Sequence, residues 1–126
     1  MRYLLDTTFA IDYLRLRDDA IRRMRDLIER GDQPFMNDIV VCELAAGARL
    51  ADERGLDALI MAVEFVQPGP NVARLAGRWR GEARARGLTL SLPDALIAAT
   101  ADELGAILIT RNVRDFTLTS VLVEGY

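Results

Sequence analysis

Short apolar segments with strand character alternate with helical segments along this chain, and this alternation constrains its fold more than any other feature. The strand candidates are residues 2–5, 34–36, 65–66, 106–109 and 121–123, and the helix candidates are residues 9–14, 18–31, 37–50, 56–64, 72–86 and 95–104. Strands separated by helices usually pair in parallel, with helices covering the sheet. A length of 126 residues suits one such unit. We therefore predict a single three-layer α/β domain over residues 1–126, with a short, mostly parallel sheet.

The amino-acid composition excludes several kinds of active site. The chain contains no histidine, which excludes Ser-His-Asp catalysis and every histidine-ligated metal site. Cys42 is the only cysteine, so an intramolecular disulfide and a cysteine-based zinc site are excluded as well. Carboxylates, hydroxyls and arginines remain, and carboxylate oxygens suit hard cations such as Mg²⁺ or Mn²⁺.

Charge and hydropathy bear on nucleic-acid binding and on cellular location. All 16 basic residues are arginine, which pairs well with phosphate, but the net charge of −3 means that any contact with nucleic acid is local or assisted by a cation. No apolar run is long enough to span a bilayer, and the first residues do not resemble a signal peptide. We expect a cytoplasmic protein that makes no contact with membranes.

The first strand candidate ends on a carboxylate, Asp6, which two hydroxyl residues follow, Thr7 and Thr8. In open α/β sheets, ligands bind at the carboxyl ends of the strands. Asp6 could therefore face a bound cation, with a nearby hydroxyl supporting it. Alternatively, one of these three residues caps the next helix, and taken alone their residue types favour this second interpretation.

Other polar residues occupy comparable places further along the chain. Glu43 lies within an apolar helix and needs either an arginine partner or a cation. Asp94 follows Ser91 at the spacing of a capping box, or it projects from the start of its helix into a shared site. Asn112 and Asp115 follow the strand at 106–109. Bare carboxylates about 4 Å apart repel each other by roughly 1–4 kcal/mol. A convergent acidic cluster therefore predicts a divalent cation.

Four segments of the chain resemble, in order and spacing, those of PIN-domain ribonucleases, and more narrowly the VapC-type toxins of bacterial toxin–antitoxin pairs. They are residues 4–8 (LLDTT), 41–47 (VCELAAG), 93–101 (PDALIAATA) and 110–116 (TRNVRDF). The resemblance extends over essentially the whole chain. It implies a three-layer α/β/α PIN-like domain and a Mg²⁺- or Mn²⁺-dependent endoribonuclease that cleaves RNA.

The resemblance also assigns roles to individual residues. Asp6, Glu43 and Asp94 match the acidic core that binds the metal in this family. Thr8 and Thr110 match its supporting hydroxyls. Asn112 stands where the fullest family pattern has a fourth catalytic aspartate, which is the one departure, and we expect Asp115 to be a secondary residue that orders the loop.

A mechanism and a set of partners follow as hypotheses from this resemblance. Asp6 and Asp94 would bind the cation directly, and Glu43 would bind it through water or orient the nucleophile. The family usually forms homodimers, and a cognate VapB-like antitoxin wraps the early helices and inhibits the toxin. Apolar residues that could serve these two surfaces, or could belong to the core instead, are Phe9, Tyr13, Leu14, Ile60 and Met61.

Arginines are the candidates for RNA contact. Arg111, beside the predicted site, is the best single candidate for a phosphate contact. The arginines of the helix at 72–86 could form a phosphate track, although a solvated helix face explains them more simply.

Two other functions compete with the nuclease. A PIN-like module could bind RNA or protein without cleaving, which only the Asn112 substitution favours. A receiver-type signalling domain that binds Mg²⁺ would also be a small α/β protein with acids at strand ends, but it needs a late lysine and this chain has none.

Overall fold

The computed structural model describes residues 1–47 and 53–126, and its strands form one parallel sheet in the order β3-β2-β1-β4-β5. The strands are β1 (Arg2–Leu5), β2 (Gln33–Asn37), β3 (Glu64–Val66), β4 (Ile107–Ile109) and β5 (Val123–Glu124). The helices are α1 (Thr7–Leu14), α2 (Asp18–Glu29), α3 (Asp38–Gly47), α4 (Glu53–Ala62), α5 (Pro70–Ala85) and α6 (Leu92–Leu104), and a 3₁₀ helix spans Val113–Phe116. The predicted α/β architecture with its parallel sheet is confirmed.

The central strand β1 is buried on both of its faces. It pairs with β2 on one side and with β4 on the other, so that Leu4 lies opposite both Phe35 and Leu108. Leu4 and Leu5 are both fully buried although neighbouring strand residues point to opposite faces of a sheet. Helices therefore cover both faces, as the three-layer prediction requires.

The carboxyl ends of β1 and β4 lie side by side. Leu5 is in register with Ile109, and the Asp6 backbone N–H donates to the Ile109 carbonyl over 3.0 Å. The parallel pairing thus brings Asp6 and Thr110, which are 104 positions apart, to the same edge of the sheet.

The end of β2 leads directly into α3 at this same edge. The residue types at 37 and 38 predict that Asn37 or Asp38 caps this helix, and the cap is Asn37, whose side chain accepts a hydrogen bond from the Val40 backbone N–H over 3.0 Å. Its amide group also donates to Thr100 Oγ1 on α6 over 2.9 Å. This buried contact ties the helix that carries Glu43 to the helix that carries Asp94.

Helix α6 begins and ends as its sequence predicts. The Asp94 backbone N–H donates to Ser91 Oγ over 3.2 Å, which confirms the cap. Gly105 ends the helix in the left-handed conformation, at φ +62°.

Predictions for α2 were partly wrong. Sequence patterning predicts Asp18 as its N-cap and places Ile28 with Ile21, Met24 and Leu27 on one apolar face. The N-cap is in fact Arg17, and Asp18 lies in the first turn. Ile28 is 61% exposed, whereas the buried stripe consists of Ala20, Met24 and Leu27. Ile28 lies one position beyond Leu27, about 100° around the helix, and so leaves the stripe.

Some predicted boundaries also shift. β5 is Val123–Glu124 and not 121–123, because the register with β4 pairs Val123 with Leu108 and leaves Leu122 exposed. Helix α4 begins at Glu53 and ends at Ala62, so Glu64 belongs to β3. The predicted end of the third helix at Leu50 lies outside the described residues. No helix in the described part of the chain has the length and apolar character needed to cross a membrane.

Candidate active site

Two hydroxyl groups hold the Asp6 carboxylate at the end of β1. Asp6 is only 4% exposed. Thr8 Oγ1 donates to Asp6 Oδ2 over 3.0 Å, and Thr110 Oγ1 donates to the same oxygen over 2.7 Å. Asp6 occupies the N-cap position of α1 but its side chain makes no capping hydrogen bond, so the capping interpretation is wrong. Because both hydroxyls bind Oδ2, neither of them occupies Oδ1.

The segment after β4 fixes the direction of these hydrogen bonds. The Arg111 backbone N–H donates to Thr8 Oγ1 over 3.1 Å, and the Asn112 backbone N–H donates to Thr110 Oγ1 over 3.0 Å. An amide N–H can only donate, so each hydroxyl accepts from the segment and keeps its own proton to donate. Asp6 Oδ2 lies within reach of both hydroxyls, whose oxygens are also 3.1 Å from each other. The hydroxyls are therefore oriented by the backbone of residues 111 and 112.

Glu43 lies on α3 with its side chain at the surface. Thr7 Oγ1 donates to Glu43 Oε1 over 2.6 Å, so the hydroxyl residue between Asp6 and Thr8 serves a second carboxylate. This contact with Thr7 was not predicted. Helix α1 thus begins with one hydroxyl for Glu43 and one for Asp6.

The electrostatic coupling of the carboxylates shows which of them share the site. Burial raises the pKa of Asp6 above its usual 3.8, while hydrogen bonds from Thr110 and Thr8 lower it in part. Burial also raises the pKa of Asp94, and the charges of Asp6, Asp115 and Glu43 raise this pKa further. The structure therefore brings three carboxylates, those of Asp6, Glu43 and Asp115, within range of the Asp94 carboxylate, and a cation beside Asp94 would be favoured.

Asn112 and Asp115 play different parts. Asn112 is exposed and contributes its backbone N–H to Thr110, as described above, while Asp115 lies in the 3₁₀ helix that the buried Phe116 anchors. Asp115 supplies a negative charge that acts on Asp94. The charge that the amide of Asn112 lacks is thus present three residues further on.

The donor chemistry of this site fits a hydrated hard cation. No three Asp, Glu or Cys side chains in residues 1–47 and 53–126 are close enough together to form a complete metal cage. Mg²⁺, however, keeps several of its waters and often needs only one or two carboxylates besides substrate phosphates. Asp6 and Asp94 supply such oxygens, and the pKa of each is raised first by burial and then by neighbouring carboxylates.

Arg111 has a partner within the protein. Its Nη1 donates to both carboxylate oxygens of Asp12, over 2.9 and 3.0 Å. Asp12 is 1% exposed, and Tyr126 Oη also donates to it over 2.5 Å. A phosphate contact at Arg111 stays a prediction.

Sequence reasoning missed both Asp12 and Tyr126. The only local signal was a charged residue within the otherwise apolar run from Phe9 to Leu14.

The chain is similar to known proteins over nearly its whole length. The family model described as "PIN domain" matches residues 3–121. Ribonuclease VapC19 of Mycobacterium tuberculosis is 36% identical over 123 residues, and the match covers 98% of both chains.

Solved structures share the fold. The crystal structure of VapBC2 from Rickettsia felis bound to a DNA fragment from their promoter superimposes with a TM-score of 0.89, at 22% identity, and covers 100% of this chain and 99% of that chain. A toxin-antitoxin complex from Klebsiella pneumoniae has a TM-score of 0.80 at 27% identity, and covers 97% of this chain and 96% of that chain.

Proposed function

The chain belongs to the PIN domain family, and from this premise we propose that it is a divalent-metal-dependent endoribonuclease, the toxin of a VapC-like toxin–antitoxin pair. The observation that carries the proposal is the edge of the sheet where Thr8 and Thr110 hold the Asp6 carboxylate, and where the charges of Asp6, Glu43 and Asp115 act on Asp94. Its relatives' ribonuclease activity supports the choice of RNA as substrate. Membership of this family also excludes the receiver-type signalling domain.

Asp6 and Asp94 would hold the metal in this proposal. When bound, Mg²⁺ or Mn²⁺ activates a water and offsets the charge that develops on the phosphate. Thr8 and Thr110 both bind Asp6 Oδ2, which leaves Oδ1 to bind the metal. Asp115 adds negative charge beside Asp94, and Asn112 holds the Thr110 hydroxyl through its backbone.

Glu43 would act on the nucleophile. Thr7 binds its Oε1, which leaves Oε2 to accept a proton from the attacking water. The exposed position of Glu43 suits a residue that meets substrate and solvent. The reaction class is hydrolysis: a water oxygen attacks the phosphorus, the P–O bond to the ester oxygen breaks, Glu43 takes a proton from the attacking water, and the leaving oxygen takes up a proton from solvent.

The partners follow from the same family. We propose that a VapB-like antitoxin inhibits the protein and that the chain forms a homodimer in the cytoplasm, where its RNA substrate is found. The likeness to a toxin-antitoxin complex supports the first of these partners. Of the residues expected at these surfaces, Met61 is exposed, Tyr13, Leu14 and Ile60 are half-buried, and Phe9 is part of the core.

Cleavage of total cellular RNA by the purified protein tests the proposed nuclease. With Mg²⁺ or Mn²⁺ we expect discrete fragments that disappear with EDTA and with Asp94→Ala. Asp102→Asn is the matched control, since Asp102 is an exposed aspartate near the other end of α6. Fragments that persist in EDTA, or in Asp94→Ala at the wild-type rate, would contradict the assigned site.

A binding module that does not cleave is the second candidate. The amide at Asn112 and the incomplete metal cage among the described residues favour it. A folded, antitoxin-free protein that binds RNA but leaves it intact would support this candidate. Asn112→Asp would then test whether a further carboxylate restores cleavage.

A further inference from the structure

We propose that Asp12, Arg111 and Tyr126 form a positioning cluster, which holds the segment after β4 so that Thr8 and Thr110 bind Asp6 correctly. The inference rests on the proposed function, because it adds positioning residues to that same site. None of the three touches the carboxylates that would bind the metal. Their effect passes through the two threonine hydroxyls.

Asp12 is the centre of the cluster. It lies in the middle of α1 and is almost completely buried. Burying a carboxylate is costly unless hydrogen bonds satisfy it. Arg111 contacts both of its oxygens and Tyr126 contacts Oδ2, so the buried charge is satisfied by two residues distant in sequence.

Arg111 attaches the segment after β4 to α1 at two points. Its backbone N–H donates to Thr8, and its side chain reaches Asp12, four positions further along the same helix. Residues four apart lie on one face of a helix, so both attachments are to the same side of α1. Two attachments fix the orientation of this segment as well as its distance from α1. Because Thr110 and Asn112 are the neighbours of Arg111 in the chain, they are held in place with it.

Tyr126 attaches to α1 from β5. Its ring packs edge-to-face on Phe9, with centroids 4.8 Å apart and planes at 89°. Its hydroxyl donates to Asp12. Phe9 follows Thr8 directly, so this contact restrains α1 where the threonine approaches Asp6.

The ion pair with Asp12 engages only one nitrogen of the Arg111 guanidinium, Nη1. The side chain is 48% exposed, and Nε and Nη2 remain as donors that an RNA phosphate could reach without displacing Asp12. Breaking the pair itself would leave the Asp12 charge buried with Tyr126 as its remaining hydrogen-bond donor. The prediction of Arg111 as an RNA contact is therefore compatible with its role in the positioning cluster, and variants must separate the two.

Three variants test the cluster. Asp12→Asn removes the charge, Tyr126→Phe removes one hydrogen bond and keeps the ring contact with Phe9, and Arg111→Gln removes the cation. For each we expect kcat to fall about tenfold or more while KM for RNA is unchanged, because removing groups that orient metal ligands typically costs about 10–100-fold. Glu124→Gln is the matched control. Glu124 lies two residues before Tyr126 and forms an ion pair with Arg23 on α2. This substitution therefore breaks that ion pair but no bond to Asp12.

Two readouts are independent of RNA cleavage. We expect Mn²⁺ affinity, measured by calorimetry, to fall about tenfold or more in each of the three variants and to be unchanged in Glu124→Gln. Hydrogen exchange of the Arg111 and Asn112 amides should be about tenfold faster in Tyr126→Phe, since these N–H groups bind the two threonines. Thermal unfolding identifies any variant that fails to fold, and Tyr126→Phe, the mildest change, then decides the question.

Arg111→Lys distinguishes the two roles of Arg111. A single nitrogen makes both bonds to Asp12, so a lysine should restore part of kcat and of Mn²⁺ affinity. If Arg111→Gln instead raises KM and weakens the salt dependence of binding, while Asp12→Asn and Tyr126→Phe behave as wild type, Arg111 contacts RNA and the cluster is overturned. If the wild-type protein cleaves no RNA, the proposed function fails, but Mn²⁺ affinity and amide exchange still confirm or refute the cluster.

Discussion

At the scale of single residues, two carboxylates of the site lie where ionisation lowers the stability of the folded protein. Asp6 is buried, and burial raises its pKa more than the hydrogen bonds from Thr110 and Thr8 lower it. Asp94 is half-buried and feels three neighbouring negative charges. Functional sites commonly retain such costs because the same features bind the ligand.

The first prediction concerns Asp94→Asn in the absence of divalent ions. Above pH 3.8 the unfolded chain releases the Asp94 proton more readily than the folded protein, because folding raises this pKa. The wild type therefore loses stability as the pH rises through the raised pKa, and the variant does not. In urea unfolding with EDTA, we expect Asp94→Asn to be more stable than wild type at pH 7, with the difference closing as the pH falls towards 3.8. Asp57→Asn, an exposed substitution on α4, is the control. An equal difference at every pH would refute the assignment.

The second prediction concerns the hydroxyl of Thr110. Thr110→Val keeps the shape of the buried side chain but removes the donor that lowers the pKa of Asp6 most. The pKa of Asp6 should then rise further, so less of the carboxylate is ionised at a given pH. We expect Mn²⁺ binding at pH 6 to weaken about tenfold and to recover as the pH is raised. Thr117→Val, which removes an exposed hydroxyl bonded only to a backbone carbonyl, should leave Mn²⁺ binding unchanged.

Sequence reasoning reached the residues whose signals are local and missed those whose partners are distant. Asp6 ends an apolar strand and Asp94 follows a serine cap, so neighbouring residues mark both. Asp12 has its partners 99 and 114 positions away, at Arg111 and Tyr126. Only the strand pairing brings those residues together.

At the scale of elements, glycines show how backbone conformation sets the ends of helices. Gly105 ends α6 at φ +62°, a conformation that costs other residues about 1–2 kcal/mol. Gly77 lies inside α5, and a Cβ added there would meet no atom within 4 Å. The two glycines therefore differ in conformation although both have open space around them.

The third prediction compares alanine at these two positions. Gly105→Ala should lower the free energy of unfolding by about 1–2 kcal/mol because of its positive φ. Gly77→Ala should raise it by about 1 kcal/mol, since alanine favours the helix interior. Urea unfolding of both variants measures the difference. A loss of stability in Gly77→Ala would show that α5 does not tolerate the added methyl group.

Element types were predictable where the pattern was strong, and boundaries were less so. Each end of α6 is indicated by residues close together in the sequence: Ser91 and Asp94 at its start, and Gly105 at its end. β5 was placed too early because its limits depend on the register with β4, which pairs Val123 with Leu108. Ile28 was assigned to the core of α2 because spacing alone does not show how far around the helix the buried stripe extends.

At the scale of the whole molecule, a net charge of −3 and an acidic site give the cation a second role besides chemistry. An RNA strand approaching this edge of the sheet meets carboxylates first. A bound divalent ion reduces that repulsion, so the folded state, metal binding and RNA binding are coupled.

The fourth prediction measures the coupling between folding and metal binding. Mn²⁺ at about 100 times its Kd should stabilise the protein by about 2.7 kcal/mol, which for a chain of this size raises Tm by about 10 °C. Asp6→Asn and Asp94→Asn should show little or none of this increase, whereas Asp102→Asn should keep it. A similar rise in all three variants would place the ion elsewhere.

Because β1 pairs with β4, the order of translation delays assembly of the site around Asp6. β1 and Asp6 are translated about a hundred codons before their partners β4 and Thr110. At about 5–20 residues per second, this interval lasts roughly 5–20 s. A nascent chain therefore carries Asp6 without the hydroxyl of Thr110 for this whole interval, and the site around Asp6 can assemble only after Thr110 has been translated.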